Sequence, residues 1–82
     1  MPAILRFAGL RVVIYPNDHR PAHVHVIGNG CEAVFELNCP RGRIALRENY
    51  GFGRLDLGRI GQNLTPHQGK LCRDWERIHG IE

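Results

Sequence analysis

Three of the five histidines fall within seven residues, His19-Arg20-Pro21-Ala22-His23-Val24-His25. Imidazole exchanges protons near physiological pH and is the commonest nitrogen ligand of transition metals. His23 and His25 are two apart, so on a β-strand both rings project from one face, about 6–7 Å apart at the backbone. Two chemistries suit that pair. As a general acid and base, His23 and His25 would move protons during phosphodiester cleavage, with Glu36 fixing the tautomer of His23. As ligands, they would be joined by His19, which the extended approach through Pro21 turns back toward them. Glu36 or Glu32 would then serve as carboxylate ligand or outer acceptor. Three nitrogens with an open position suit zinc, and an added carboxylate suits iron or nickel, so the cofactor expected on this reading is zinc or another divalent transition metal. The sequence requires none.

The cations have their own bias. Of eleven Lys and Arg residues all but Lys70 are arginine, within a net charge of +3. Arginine is the side chain that grips phosphate and carboxylate through two parallel hydrogen bonds. An anionic partner, nucleic acid first, is the expectation.

The elements that must carry these groups are legible from period and turn chemistry. Ala3 to Phe7 and Leu10 to Tyr15 flank Ala8-Gly9 and read as a hairpin, stopped by Pro16-Asn17-Asp18. His23 to Ile27 and Glu32 to Leu37 flank Asn29-Gly30, a turn dipeptide suited to positive φ at both central residues. Arg43 to Arg47 reads as a shorter fifth strand. From Leu55 the apolar period changes to about 3.6, with Leu57, Ile60 and Leu64 on one stripe. Thr65-Pro66-His67-Gln68 reads as a capped helix start, and Leu71, Cys72, Trp75, Ile78 and His79 share the face that follows, up to Gly80. The fold class expected is α+β: an antiparallel meander of four to five strands over residues 3–47, with one or two C-terminal helices over 55–80 packed on one face of the sheet, all within a single domain, 1–82.

Hairpin register assigns the faces. A two-residue turn at Asn29-Gly30 pairs Val26 with Ala33 and Val24 with Phe35, leaving His25 opposite Val34 and His23 opposite Glu36. The first hairpin puts Leu5 against Val12 and Phe7 against Leu10, and sets Arg6 directly against Arg11, a like-charge pair that destabilises a ladder. With Ile44 and Leu46 turned to the core, Arg43 and Arg47 join Arg6 and Arg11 as phosphate-binding candidates on the histidine face. The apolar residues of that face, Ile4, Val13, Ile27 and Val34, would form a patch for a partner protein or a second copy of the chain.

Length limits the type of site. For 82 residues, burying about 8,500 Å², some 60% of it apolar, contributes about 125 kcal/mol, against about 120 kcal/mol for ordering the chain. A chain this marginal has little room for an enclosed cavity, which directs function to an open face. Cys31, Cys39 and Cys72 are odd in number without C-x-x-C spacing, a pattern expected of thiols in the reducing cytoplasm rather than of a disulfide framework. With Arg6 and Arg11 interrupting the N-terminal apolar residues, no signal or membrane-spanning segment is expected.

The opening Met1-Pro2-Ala3-Ile4, the motif His19-x-Pro21-x-His23-x-His25-Val26, the glycine turn followed by Glu32-Ala33, and the C-terminal helix with Trp75 together resemble domain-of-unknown-function family 4160 over nearly the whole chain. Many members carry a second proline where this chain has Ala22. The resemblance implies a small bacterial protein, often encoded beside another small protein, in a toxin–antitoxin-like pair. It carries over no catalytic residue. The function expected is accordingly a nucleic-acid-linked, toxin–antitoxin-like module working through the Arg/His face, with a histidine metal site and a non-catalytic interaction module as alternatives. The partners expected are nucleic acid, a cognate small protein encoded nearby or a second copy, and no membrane.

Overall fold

A computed structural model describes residues 3–80, so the Met1-Pro2 opening of the family resemblance lies outside it. Ala8 and Gly9 both take positive φ, 51° and 76°, the conformation whose twist matches that of two flanking strands. They join β1 (Leu5–Phe7) to β2 (Leu10–Val13) in the expected register, Arg6 opposite Arg11. Asn29 and Gly30 repeat the device at 53° and 75° between β3 (His23–Gly28) and β4 (Cys31–Glu36). Val24 is set against Phe35, Val26 against Ala33 and His23 against Glu36. With β5 (Ala45–Tyr50) these strands form one antiparallel sheet in sequence order.

The fifth strand departs from its expected position. It begins at Ala45 and runs to Tyr50, because Asn38 closes the preceding loop on itself. The Asn38 side-chain amide donates to the Arg43 carbonyl at 2.6 Å and the Gly42 N–H donates to the Asn38 carbonyl at 2.7 Å. Arg43 is thereby held in the loop, and Leu46, expected in the core, is 46% exposed.

The helices cover the Val12, Val24, Val26, Ala33 and Phe35 face. α1 (Arg54–Leu64) is continuous through Gly58 and Gly61 and buries Ile60 and Leu64. Phe52, in the connection ahead of it, enters the core, with its backbone N–H and carbonyl both bonded to the Asn49 side chain. Thr65–His67 form a 3₁₀ turn rather than a capped helix start. The Thr65 hydroxyl donates back to the Gly61 carbonyl at 2.8 Å, and the Gln68 amide leaves its own helix to donate to Leu37 and Gly42 carbonyls at 2.7 and 2.6 Å. A long-range bond thus replaces the local capping box. α2 (Gln68–His79) buries Leu71, Cys72 and Trp75. No helix among the described residues is long and apolar enough to cross a membrane.

The cysteine expectation is corrected here. Cys39, in the loop after β4, is disulfide-bonded to Cys72 on the buried face of α2, across 33 residues of sequence with Cα atoms 6.0 Å apart. Cys31 is free. Spacing rules miss the bond because packing of α2 under the 37–44 loop brings the two together, the same packing that Gln68 bonds across.

α2 also carries a polar anchor. The Asp74 carboxylate takes Lys70 Nζ at 2.6 Å and Arg77 Nη2 at 3.1 Å, and Lys70 reaches on to the Ile4 carbonyl. Burial raises the Asp74 pKa, but the bonds from Lys70 and Arg77 outweigh it and hold the net value below the ordinary 3.8. A depressed folded pKa contributes stability above the unfolded value, which is lost as pH falls through the folded one. Asp74→Asn is therefore expected to cost about 1 kcal/mol at pH 7, with the gap from wild type closing under acid conditions below 3.8. Denaturant titrations at both pH values check this, and a gap independent of pH would show that the ion pairs are not its source.

A candidate metal centre at Asp18, His23 and His25

His23 and His25 leave β3 on the face opposite Val24 and Val26, as their spacing requires, with His23 at the end of the strand where Trp75 of α2 reaches it. Each ring is fixed from its far side. His23, only 6% exposed, lies against Trp75 with ring centroids 5.2 Å apart and donates from Nδ1 to the Pro21 carbonyl at 2.8 Å. His25 meets the ring of Tyr15 edge-on at 4.7 Å, and its Nδ1 lies 2.9 Å from Glu32 Oε2. The near sides converge. His23 Nε2 lies 3.2 Å, and His25 Nε2 3.0 Å, from the same oxygen, Asp18 Oδ2.

Proton accounting makes this convergence informative. A carbonyl only accepts, so His23 Nδ1 carries a proton and the neutral ring presents a lone pair at Nε2. His25 has a carboxylate at each nitrogen, Glu32 at Nδ1 and Asp18 at Nε2, and with its proton on Nδ1 it too presents a lone pair at Nε2. Two neutral rings then aim lone pairs at one carboxylate oxygen, which is unfavourable unless positive charge lies between them. Protonated rings would supply it, and so would a metal ion. Separations of 3.0 and 3.2 Å match the edges of a coordination polyhedron with bonds of about 2.0–2.1 Å, roughly 3.0 Å for an octahedron and 3.3 Å for a tetrahedron. The donor atoms of the three residues all lie within 4.8 Å of one another. Outer acceptors on Nδ1 are the usual companions of metal-bound imidazole, fixing its tautomer and raising its basicity.

The three residues open onto a cleft of about 260 Å³ whose lining includes His19, Arg20, Arg47 and Glu48. A β-bulge at Val34/Phe35 shapes its far wall, shifting the β4–β5 register so that Glu48 faces Val34 while Leu46 faces Phe35. The intervening Arg47 and its neighbour Glu48 both line the cleft. The Tyr50 hydroxyl donates to Glu48 Oε1 at 3.0 Å, and that hydrogen bond, then the Glu48 charge, raises the Tyr50 pKa above its ordinary value. A larger cavity, about 300 Å³, lies on the helix side among Phe7, Leu10, Phe52 and Ile60. It contains no histidine, and the convergent chemistry belongs to the smaller cleft.

Of the residues expected at a site, His23 and His25 come together, while His19 lines the cleft without joining them and Asp18 takes its place. Glu36 lies opposite His23 in register, but the ring bonds to Pro21 and Asp18 instead. Glu32 is the outer carboxylate. Arg47 reaches the cleft, Arg43 stays in its loop, and Arg6 and Arg11 face one another on the first hairpin. Val13 and Val34 are buried, which removes half of the apolar patch expected on this face. Asp18 escaped notice as part of a turn, Pro16-Asn17-Asp18; a carboxylate immediately before a His-x-Pro-x-His-x-His run was its only signal.

Residues 9–76 match the model of a protein family described as a domain of unknown function (DUF4160). The chain belongs to this family. The match spans every residue of the DUF4160 cleft from Asp18 to Glu48, and the description names no activity. No curated protein and no solved structure matches the chain.

Proposed function

We propose that this DUF4160 protein binds one divalent transition metal ion through Asp18, His23 and His25, with zinc the first ion to test. The observation that carries the proposal is the convergence of both Nε2 atoms on Asp18 Oδ2 while both Nδ1 atoms face acceptors. Two imidazoles and one carboxylate form a three-ligand set that leaves positions open for water or substrate, the pattern of a reactive rather than a purely structural site. A metal there would polarise an oxygen ligand or lower the pKa of a bound water.

Native mass spectrometry at neutral pH is expected to find one zinc per chain, absent from His23→Ala,His25→Ala. Glu32→Gln, which weakens the outer acceptor and leaves the three ligands in place, is expected to lower zinc affinity about 10–100-fold. Wild-type protein that stays at its apo mass in stoichiometric zinc, or Glu32→Gln with undiminished affinity, would count against the centre.

A second reading concerns the same sheet face outside the cleft. Arg6 directly opposite Arg11 breaks a pairing rule that a bound polyanion would satisfy. It supports a nucleic-acid-linked role, of the kind the toxin–antitoxin-like resemblance implies. A cognate small partner or a second copy of the chain would be recognised on that face by co-purification.

A further inference from the structure

Resting on the metal-centre reading, we infer that the open positions of the centre take a phosphate group, so that the ligand or substrate of the cleft is a phosphate ester. Charge supports this first. With both imidazoles neutral, the cations Arg20 and Arg47 of the metal-free cleft balance the anions Asp18 and Glu48, leaving no excess to attract an anion. A divalent ion held by neutral imidazoles converts that balance to two positive charges, the complement of a phosphate dianion. Glu32, tied to the far side of His25, tempers the field from behind the ring without entering the lining of the cleft.

Geometry agrees. The bulge at Val34/Phe35 accompanies a strand in which successive residues, Arg47 and Glu48, line one cleft, so a guanidinium from β5 shares it with the metal ligands from β3. Arg20 enters from the β2–β3 loop. A tetrahedral oxyanion can give one oxygen to the metal and others to guanidinium forks, which bind phosphate through paired hydrogen bonds. About 260 Å³ accommodates the phosphoryl group and part of its ester substituent. The cleft is open, which suits a group carried at the end or along the backbone of a larger molecule.

The metal and the phosphate are then coupled ligands, each tightening the other by the same factor. The test uses the full chain, stoichiometrically loaded with zinc and free of excess ion, its metal content measured first, and titrates inorganic phosphate by calorimetry. Phosphate is expected to bind the loaded protein at least tenfold more tightly than the chelator-stripped protein, and Arg47→Gln to weaken binding to the loaded form at least tenfold. Arg73→Gln, exposed on α2 and outside the cleft, is expected to match wild type, and acetate to bind at least tenfold more weakly than phosphate. Equal affinity in loaded and stripped protein, no loss in a folded and zinc-loaded Arg47→Gln variant, or equal binding of acetate would overturn the phosphate assignment while leaving the metal centre standing. Failure to load zinc at all would overturn both, and the metal measurement separates that result from the others.

Discussion

Zinc at one hundred times its dissociation constant is expected to raise the unfolding temperature of this protein by about 10–20 °C. A ligand that binds only the folded state at that excess contributes about 2.7 kcal/mol, and each kcal/mol moves the midpoint of a domain of this size by about 4–8 °C. The effect depends on the three ligands being brought together by folding. Asp18 comes from the turn after β2, and His23 and His25 from β3, so the unfolded chain retains only the local histidine run. Asp18→Ala is expected to lose most of the shift, because it removes the oxygen on which both imidazoles converge. The same substitution also removes the carboxylate that faces the two ring nitrogens in the metal-free protein, so the metal-free midpoints of variant and wild type are measured alongside. Cys31→Ser is expected to keep the full zinc shift, which guards against stabilisation through the free thiol. A shift that survived Asp18→Ala and His25→Ala alike would place the zinc elsewhere on the chain.

Reduction of the Cys39–Cys72 bond is expected to be the most damaging single change to stability. Closing a loop of 33 residues restricts the unfolded chain by about 3.7 kcal/mol on the chain-entropy account, which corresponds to a fall of about 15–30 °C in the unfolding midpoint. For a chain whose burial and ordering terms nearly cancel, that is a large share of the 5–15 kcal/mol by which proteins of this kind are usually stable. The double variant Cys39→Ser,Cys72→Ser under oxidising conditions is expected to match wild type under reductant, and Cys31→Ser to behave as wild type in both. A wild-type midpoint unmoved by reductant would show that this loop restricts the unfolded chain far less than its length implies. The bond also removes the cysteine argument for a reducing compartment, since disulfides persist where conditions are oxidising.

The two results bear on one another through α2. Its face carries Cys72 and, three residues on, Trp75, whose ring backs His23. Its end is tied to the sheet by His79, which stacks on Trp75 and sets its ring nitrogens against the carbonyls of Trp75 and Tyr15. Tyr15 in turn packs its ring on His25. Both imidazoles of the centre therefore rest on groups whose positions depend on where this helix lies. The arrangement that buries the core also holds the ligands in place from behind.

Much of the fold was written in local chemistry. Asn29-Gly30 and Ala8-Gly9 each adopt the positive-φ pair that closes a two-residue hairpin, and from those turns the period of two assigns Val24, Val26, Ala33 and Phe35 to the core and His23 and His25 to the opposite face. The Arg6–Arg11 opposition follows from the same register. Such features depend on residues close in the chain, and a one-residue slip would turn every apolar side chain outward. The fifth strand was less legible because Asn38 closes a loop through its side chain, and because a bulge shifts the register without a distinctive residue type to announce it.

By itself the sequence determined that two histidines would share one face of a sheet and that the helices would cover the other. Only the tertiary structure decided what those histidines meet. Asp18 in place of His19, Glu32 behind His25, Arg47 with Glu48 across the cleft, and Cys39 bonded to Cys72 all join residues that no local period relates. The reason is that alternation and turn preference constrain neighbours along a strand, whereas convergence on a single carboxylate oxygen depends on how loops and helices pack once the strands have formed.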